Sequence, residues 1–154
     1  MFSVTSPVTG AAQTGFTAPT YTTVADVAPD DNGKQVAVTA LGGTQTGVTV
    51  HSVSSPFTVT IIRPRTFKSL GQVNPVTGTL PSVPKNLWKL VIRKGVLPLA
   101  GQQPALLVIR LDVDVPAGSD VADAPNIRAA LSAAIGVLNQ QSAGLGDSLV
   151  SGLI

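Results

Sequence analysis

The sequence predicts an α+β fold: an N-terminal β-hairpin and an antiparallel sheet, followed by two C-terminal α-helices. Three observations predict it. The stretch from Lys85 to Val115 reads KNLWKLVIRKG, then VLPLAGQQ, then PALLVIRLDVDV, two strongly alternating segments joined by a loop. Trp88, Leu90 and Ile92 fall on one side of the first, and Lys89, Val91 and Arg93 on the other. In the second, Leu107, Ile109, Leu111, Val113 and Val115 oppose Val108, Arg110, Asp112 and Asp114. One greasy face and one charged face per strand is the pattern of an antiparallel sheet covered on a single side. The remaining two observations concern order. Short β-rich runs punctuated by Gly and Pro precede these strands, and helical periodicity begins only after them, so strands come first and helices last.

Taken in order, residues 1 to 19 are Thr, Ser, Gly and Pro with scattered apolar residues, and read as a loose arm or an irregular first strand. Thr20 to Val27 is a short strand. Pro29 to Gly33 is a turn in which Asn-Gly is able to take positive φ. Lys34 to Leu41 alternates and completes a hairpin, and Gly42-Gly43 is expected to break it. Gly47 to Val53 alternates again and reads as a strand, ended by Pro56. Phe57 to Arg63 is the next strand, stopped by Pro64. Thr66 to Pro84 is a long connection rich in Gly and Pro. After Val115, Pro116-Ala-Gly-Ser closes the sheet. Asp123 is placed to cap a helix with Pro125 in its first turn. Ile127, Leu131, Ala134, Ile135 and Leu138 form a stripe at helical spacing. Gly136 inside that helix costs about 1 kcal/mol relative to Ala, so a close backbone approach is expected there. Gly144 is expected to end it, with a second short helix from Asp147 to Leu153. Residues 1–154 thus read as a single domain, with the sheet over 20–115 and helices over 120–154. The apolar helix needs a cover: it folds onto its own sheet, or it crosses onto a partner's sheet to make an interlocked dimer.

Charge is thin, 12% of residues against about 25% in an average domain, and mean hydropathy is positive. A chain of that kind places much apolar surface in a core or in subunit contacts. No run is long and apolar enough to span a membrane, and Met1 to Gly10 lacks the basic start and apolar stretch of a signal peptide. Cysteine is absent, which excludes a disulfide framework and thiolate metal sites. These features fit a cytosolic life. Eight of the ten Lys and Arg lie between Arg63 and Arg110, an interval with no acid, and all eight acids are Asp placed outside it. A basic block inside a nearly neutral chain can supply an anion-facing surface.

Constellations for catalysis are weak. His51 is the only histidine and has no Cys or Glu to join it, so it reads as a structural strand residue. Asp112 and Asp114 share a strand face at i, i+2, a spacing able to bind a hard cation or share a proton, but Arg110 lies on the same face and favours simple charge pairing. A hydrolase would need that pair. Gly42 to Gly47 lacks the Lys-Ser/Thr ending of a phosphate loop and precedes a strand. Neither a zinc pattern nor a dinucleotide fingerprint is present. No cofactor, metal or small-molecule substrate is expected.

The remaining signal is the basic strand face. Lys89 and Arg93 on one strand and Arg110 on the next are expected to sit together. Thr58 and Thr60 on the preceding strand add hydroxyls, and Arg63 with Arg65 lies at its end. A sheet of basic and hydroxyl side chains holds phosphates and splayed bases of RNA. Stacking partners are scarce, because Trp88 alternates onto the greasy face and the only Tyr is Tyr21.

The order of elements resembles the coat proteins of single-stranded RNA bacteriophages, the leviviruses. The stretches that carry the resemblance are FTVTIIRPR, LWKLVIRKG, LLVIRLDVDVPAGSD, the helix NIRAALSAAIGVL and the tail DSLVSGLI. It covers roughly residue 20 to the end, while residues 1 to 19 and the loop 66 to 84 depart from shorter family members. The resemblance implies an interlocked homodimer, each chain's helices over the partner's sheet, with one continuous sheet. It implies assembly into an icosahedral shell in the bacterial host cytoplasm, with helices outside and the polar face binding single-stranded genomic RNA inside. In the family that face also binds a replicase hairpin and represses translation. By position it assigns RNA contacts to Thr58, Thr60, Lys89, Arg93, Arg110 and Asp112, with Arg63 at the strand end, and it places the loop Val96 to Gln103 at symmetry axes. Val108 stands where the family carries a tyrosine, and the loop lacks the cysteine of disulfide-linked relatives. The alternative is a monomeric β-rich binding module, or another virion component, whose helix covers its own sheet and which binds no RNA.

Overall fold

Alternating apolar residues bounded by Gly, Pro and Asp give a meander in which each strand pairs with the next. The computed structural model describes residues 2–154. Its strands are β1 (Val8–Thr9), β2 (Thr17–Asp26), β3 (Gly33–Thr44), β4 (Phe57–Ile62), β5 (Lys85–Val96) and β6 (Ala105–Pro116). They form a single antiparallel sheet in the order β1-β2-β3-β4-β5-β6. The helices are α1 (Ser119–Ala122), α2 (Ala124–Gln140) and α3 (Ser142–Ser151). The α+β architecture, an antiparallel sheet followed by C-terminal helices, is the expected one.

Several elements differ from expectation. The hairpin turn between β2 and β3 does not use positive φ at Asn32 or Gly33. Asp30 instead accepts the Asn32 amide at 3.0 Å, and Gly33 N–H reaches the Asp30 carbonyl at 2.9 Å. An Asx turn does the work assigned to Asn-Gly. Strand β3 does not break at Gly42-Gly43 but runs on to Thr44. Gly43 takes φ +70, and a Cβ there would collide with the Thr17 and Ala18 carbonyls, so the pair sustains a close strand approach.

Gly47 to Val53 is not a strand. His51 N–H bonds the Val38 carbonyl at 2.8 Å, and a turn closes from Ser52 N–H to Ser55 O at 3.0 Å. Lys94 Nζ then donates to Thr49 O at 2.6 Å and Thr49 Oγ1 at 2.8 Å. The segment's hydrogen bonds go to a strap across the sheet end, which local alternation does not reveal. At the C-terminus the helix breaks at Gln141, and Gly144 lies inside α3. Asp123 precedes α2 without a side-chain cap bond. Its carboxylate accepts the Asn126 side-chain amide at 2.8 Å instead.

The isolated chain has little core. Its buried hydrophobic residues are Ala37, Val38, Val91 and Ala117. Helix α2 buries none of its residues, and Ile135 is 55% exposed. A Cβ at Gly136 would meet nothing, so the close approach expected there is not made within one chain. Helix α3 is tied to the turn before β2: Gln13 Nε2 donates to Ser142 O at 2.9 Å, and Thr14 Oγ1 to Asp147 Oδ2 at 2.9 Å. The chain exposes 10785 Å², whereas a compact monomer of 15.6 kDa exposes about 7,300 Å². The excess, roughly 3,500 Å², is on the scale of an obligate subunit interface.

Candidate nucleic-acid interface

Residues paired across adjacent strands point to the same side of a sheet. The registers therefore write the polar face as three rows. One runs Ala37, Thr58, Arg93, Val108. The next runs Asp26, Gln35, Thr60, Val91, Arg110 across five strands. The third runs Gly33, Ile62, Lys89, Asp112. The opposite face carries Val36, Val59, Ile92 and Ile109 in one row, and Ile61, Leu90 and Leu111 in another.

The structure thus brings Thr58, Thr60, Lys89, Arg93, Arg110 and Asp112 onto one face. Arg63 is placed apart from them. It lies beyond the end of β4, exposed, with its backbone bonded to Asn32 O at 3.1 Å. Arg65 is engaged with Asp30 at 3.3 Å, the one ion pair among the described residues. Lys94 belongs to the other face, where its Nζ lies 4.8 Å from the Phe57 ring centroid and burial lowers its pKa. The basic block of the sequence is therefore split, and Lys89, Arg93 and Arg110 are the cations that share a surface free of ion pairs.

That surface is a shallow open concavity of about 590 Å³. Thr58, in its lining, is 4% exposed, and Thr60, in the adjoining row of the same face, is 0% exposed. Thr60 Oγ1 donates to Gln35 Oε1 at 2.6 Å, and Gln35 Nε2 donates to Asp26 Oδ2 at 2.7 Å. The hydroxyl thereby fixes which way the Gln35 amide faces. Thr58 Oγ1 is buried and has no protein partner. A hydroxyl in that state costs about 1–3 kcal/mol unless water or a ligand satisfies it, and it lines the concavity. At the far end, the Gln35 amide and the Val27 backbone N–H hold the Asp26 carboxyl below its usual range.

Sequence reasoning missed Asp26, Gln35 and the site placement of His51. The hairpin turn offered a signal, since a tight Asp30 turn sets Asp26 opposite Gln35. His51 keeps a structural role as expected, though from a loop: its Nδ1 accepts the Phe57 N–H at 3.0 Å. In the neutral ring this leaves Nε2–H free, and the residue lines the concavity. Asp112 and Asp114 share the polar face with Arg110, as the alternation required.

No protein-family model matches the chain, and no curated protein matches it. Among solved structures it is similar to the virus-like particle of bacteriophage ESE020, with 56% sequence identity over 100% of both chains and a TM-score of 0.97. Identity of that order over the whole length, with the same fold, carries a structural role in a capsid and makes the chain a virion component. The chain belongs to the family of bacteriophage coat proteins.

Proposed function

We propose that this coat protein is of the single-stranded RNA phage type, a levivirus-like chain that dimerises, builds an icosahedral shell and holds genomic RNA on its polar sheet face. The observation that carries the RNA reading is the placement of Lys89, Arg93 and Arg110 on the face that also holds the buried, unpartnered Thr58 hydroxyl. Three cations without ion-pair partners supply the phosphate term, and the Thr58 hydroxyl supplies a hydrogen bond that water or RNA completes. Asp112, in register with Lys89, tunes the charge of the third row.

The dimer reading rests on what the single chain leaves uncovered. Among the described residues strand β6 pairs only with β5, so its 12 residues form a sheet edge. A long open edge is an aggregation hazard unless it is paired. Pairing it with the partner's β6 gives one continuous sheet across the dimer. The exposed stripe of α2 and the half-exposed row through Ile109 are then covered by the partner. The competing reading, a monomeric module whose helix covers its own sheet, is disfavoured because α2 buries none of its residues. Repression of replicase translation from the same face is the regulatory extension of the reading.

Size-exclusion chromatography of the recombinant chain, read at 260 and 280 nm, with electron microscopy of the leading peak tests the proposal. Uniform spheres with excess 260 nm absorbance are expected. A monomer with a protein-like spectrum, unchanged on adding the phage's own RNA, contradicts it.

A further inference from the structure

The polar face is not uniformly basic: Asp112 and Asp114 lie beside Lys89 and Arg110 on β5 and β6, but Asp26, at the other end of the five-strand row, faces Gln35 with no cation in register, and phosphate binding does not explain it. Asp26 lies at one end of the five-strand row and Arg110 at the other, about 19 Å apart along the sheet. A bare carboxylate on a phosphate-binding surface weakens binding by repulsion. Asp26 is not neutralised in place, since no Lys or Arg pairs with it among the described residues. Instead, Gln35, itself oriented by Thr60, steadies one carboxylate oxygen, and the Val27 N–H holds the other at 2.8 Å. The side chain is thus fixed in position, and each oxygen keeps a free lone pair. His51 lines the same concavity, near enough to Asp26 to act on its carboxyl, and its Nε2–H is free in the neutral ring because Phe57 occupies Nδ1. The buried Thr58 hydroxyl in the adjoining row is an independent sign of a missing partner.

The donors and acceptors at this end select among bases. Two carboxylate oxygens accept from adjacent N–H donors, and an imidazole N–H donates to a carbonyl. Guanine alone presents a carbonyl beside two adjacent N–H donors on its Watson–Crick edge. Adenine and cytosine each present one amino group beside a ring-nitrogen acceptor, and uracil presents one N–H between two carbonyls. We infer that the Asp26–His51 end of the concavity is a guanine-selective base site for single-stranded RNA whose phosphates lie toward Arg93 and Arg110. The carboxylate takes the N1–H and N2–H donors, His51 Nε2–H meets O6, and Gln35 positions the carboxylate. This rests on the RNA reading above and deepens it, because it assigns phosphate binding and base selection to opposite sides of one face.

Fluorescence anisotropy with the full-length protein tests the site, using uridine dodecamers that carry one central guanosine, inosine or adenosine. The guanosine oligomer should bind roughly tenfold tighter than the adenosine one, the gain of one bidentate contact. Inosine, which lacks the N2 amine, should fall between them. Asp26→Asn should abolish the preference while leaving the salt slope unchanged, and circular dichroism like that of wild type shows that the variant folds. Salt-dependent binding of all oligomers with equal affinity overturns the base site and leaves the RNA reading standing. Asp26→Asn strengthening every oligomer alike also overturns it, since the carboxylate then only repels. Absence of salt-dependent binding to any oligomer overturns both.

Discussion

Gln35 donates its side-chain amide to the Asp26 carboxylate at 2.7 Å, across a pair of residues that face each other in the β2–β3 register. The same amide accepts the buried Thr60 hydroxyl at 2.6 Å. One side chain thus satisfies a fully buried donor and steadies an exposed carboxylate. Gln35→Leu should destabilise the chain by about 1–3 kcal/mol, because the Thr60 hydroxyl is left buried without a partner. Thr60→Val in the Gln35→Leu background should recover part of that loss. Thermal unfolding at fixed protein concentration checks both, and a cost that adds independently of Thr60 would contradict the coupling.

Lys94 anchors the strap over residues 47–56 from the apolar face. Lys94→Met keeps an unbranched side chain beside Phe57 but removes the cation–π contact and the bonds to Thr49, at a cost of about 1 kcal/mol given partial exposure. Limited proteolysis should then cut between Gly47 and Ser55 faster than in wild type. An unchanged cleavage pattern would show that His51 and the Ser52–Ser55 turn hold the strap alone.

Gly43→Ala places a Cβ against the Thr17 and Ala18 carbonyls at a left-handed φ of +70. A loss of about 2 kcal/mol or more is expected. Gly71→Ala meets nothing within 4 Å, so it should be neutral or slightly stabilising. Denaturant midpoints of the two variants separate a required glycine from a permissive one.

Acid sensitivity follows from two carboxylates. Hydrogen bonds hold Asp26 and Asp30 below their ordinary value of 3.8, chiefly from Gln35 for the first and Asn32 for the second. A depressed folded-state pKa contributes stability that is present above the unfolded value and is lost as pH falls through the folded one. The contribution of these groups should therefore stay constant between pH 7 and 5, and should be lost below 3.8. In an Asp26→Asn, Asp30→Asn double variant the fall on acidification should be shallower. Equal slopes in this acid range would contradict the assignment.

How much of this was legible in the sequence depended on the range of the interaction. Trp88, Leu90 and Ile92 alternate against Lys89, Val91 and Arg93, so the faces of β5 followed from side-chain period alone, and so did those of β6. The grouping of Thr58, Lys89, Arg93 and Arg110 followed once neighbouring strands were taken as paired. The segment around His51 alternates just as well, yet its backbone bonds to Val38 and its ring serves Phe57, contacts that sequence proximity does not display. Gly144 reads as a helix stop, but a glycine in the first turn of a helix looks the same. The hairpin turn could have set Asp26 opposite Gln35, but that both share a row with Arg110 was illegible, because it needs the register of four successive pairings at once. The cover for α2 was open for a different reason: one chain does not contain it.

Ile109→Asp tests the subunit contact directly. Ile109 is 51% exposed in the single chain, so the substitution should leave the secondary structure in place. Buried against a partner, an unpaired carboxylate is costly, and assembly should be lost. Light scattering with circular dichroism separates the two effects. Intact shells from this variant would mean that the row through Ile109 is not an interface.

Particles of the Lys89→Ala, Arg93→Ala double variant test most directly whether this coat protein holds RNA on the polar face built from β4, β5 and β6. Their RNA content, with the salt dependence of binding by the same protein, is the measurement. Shells of normal form with reduced RNA are expected. The binding slope should flatten by about 1.4, because two phosphates of a single strand are no longer neutralised. Wild-type RNA content with an unchanged slope would contradict the claim and remove this face from the interface.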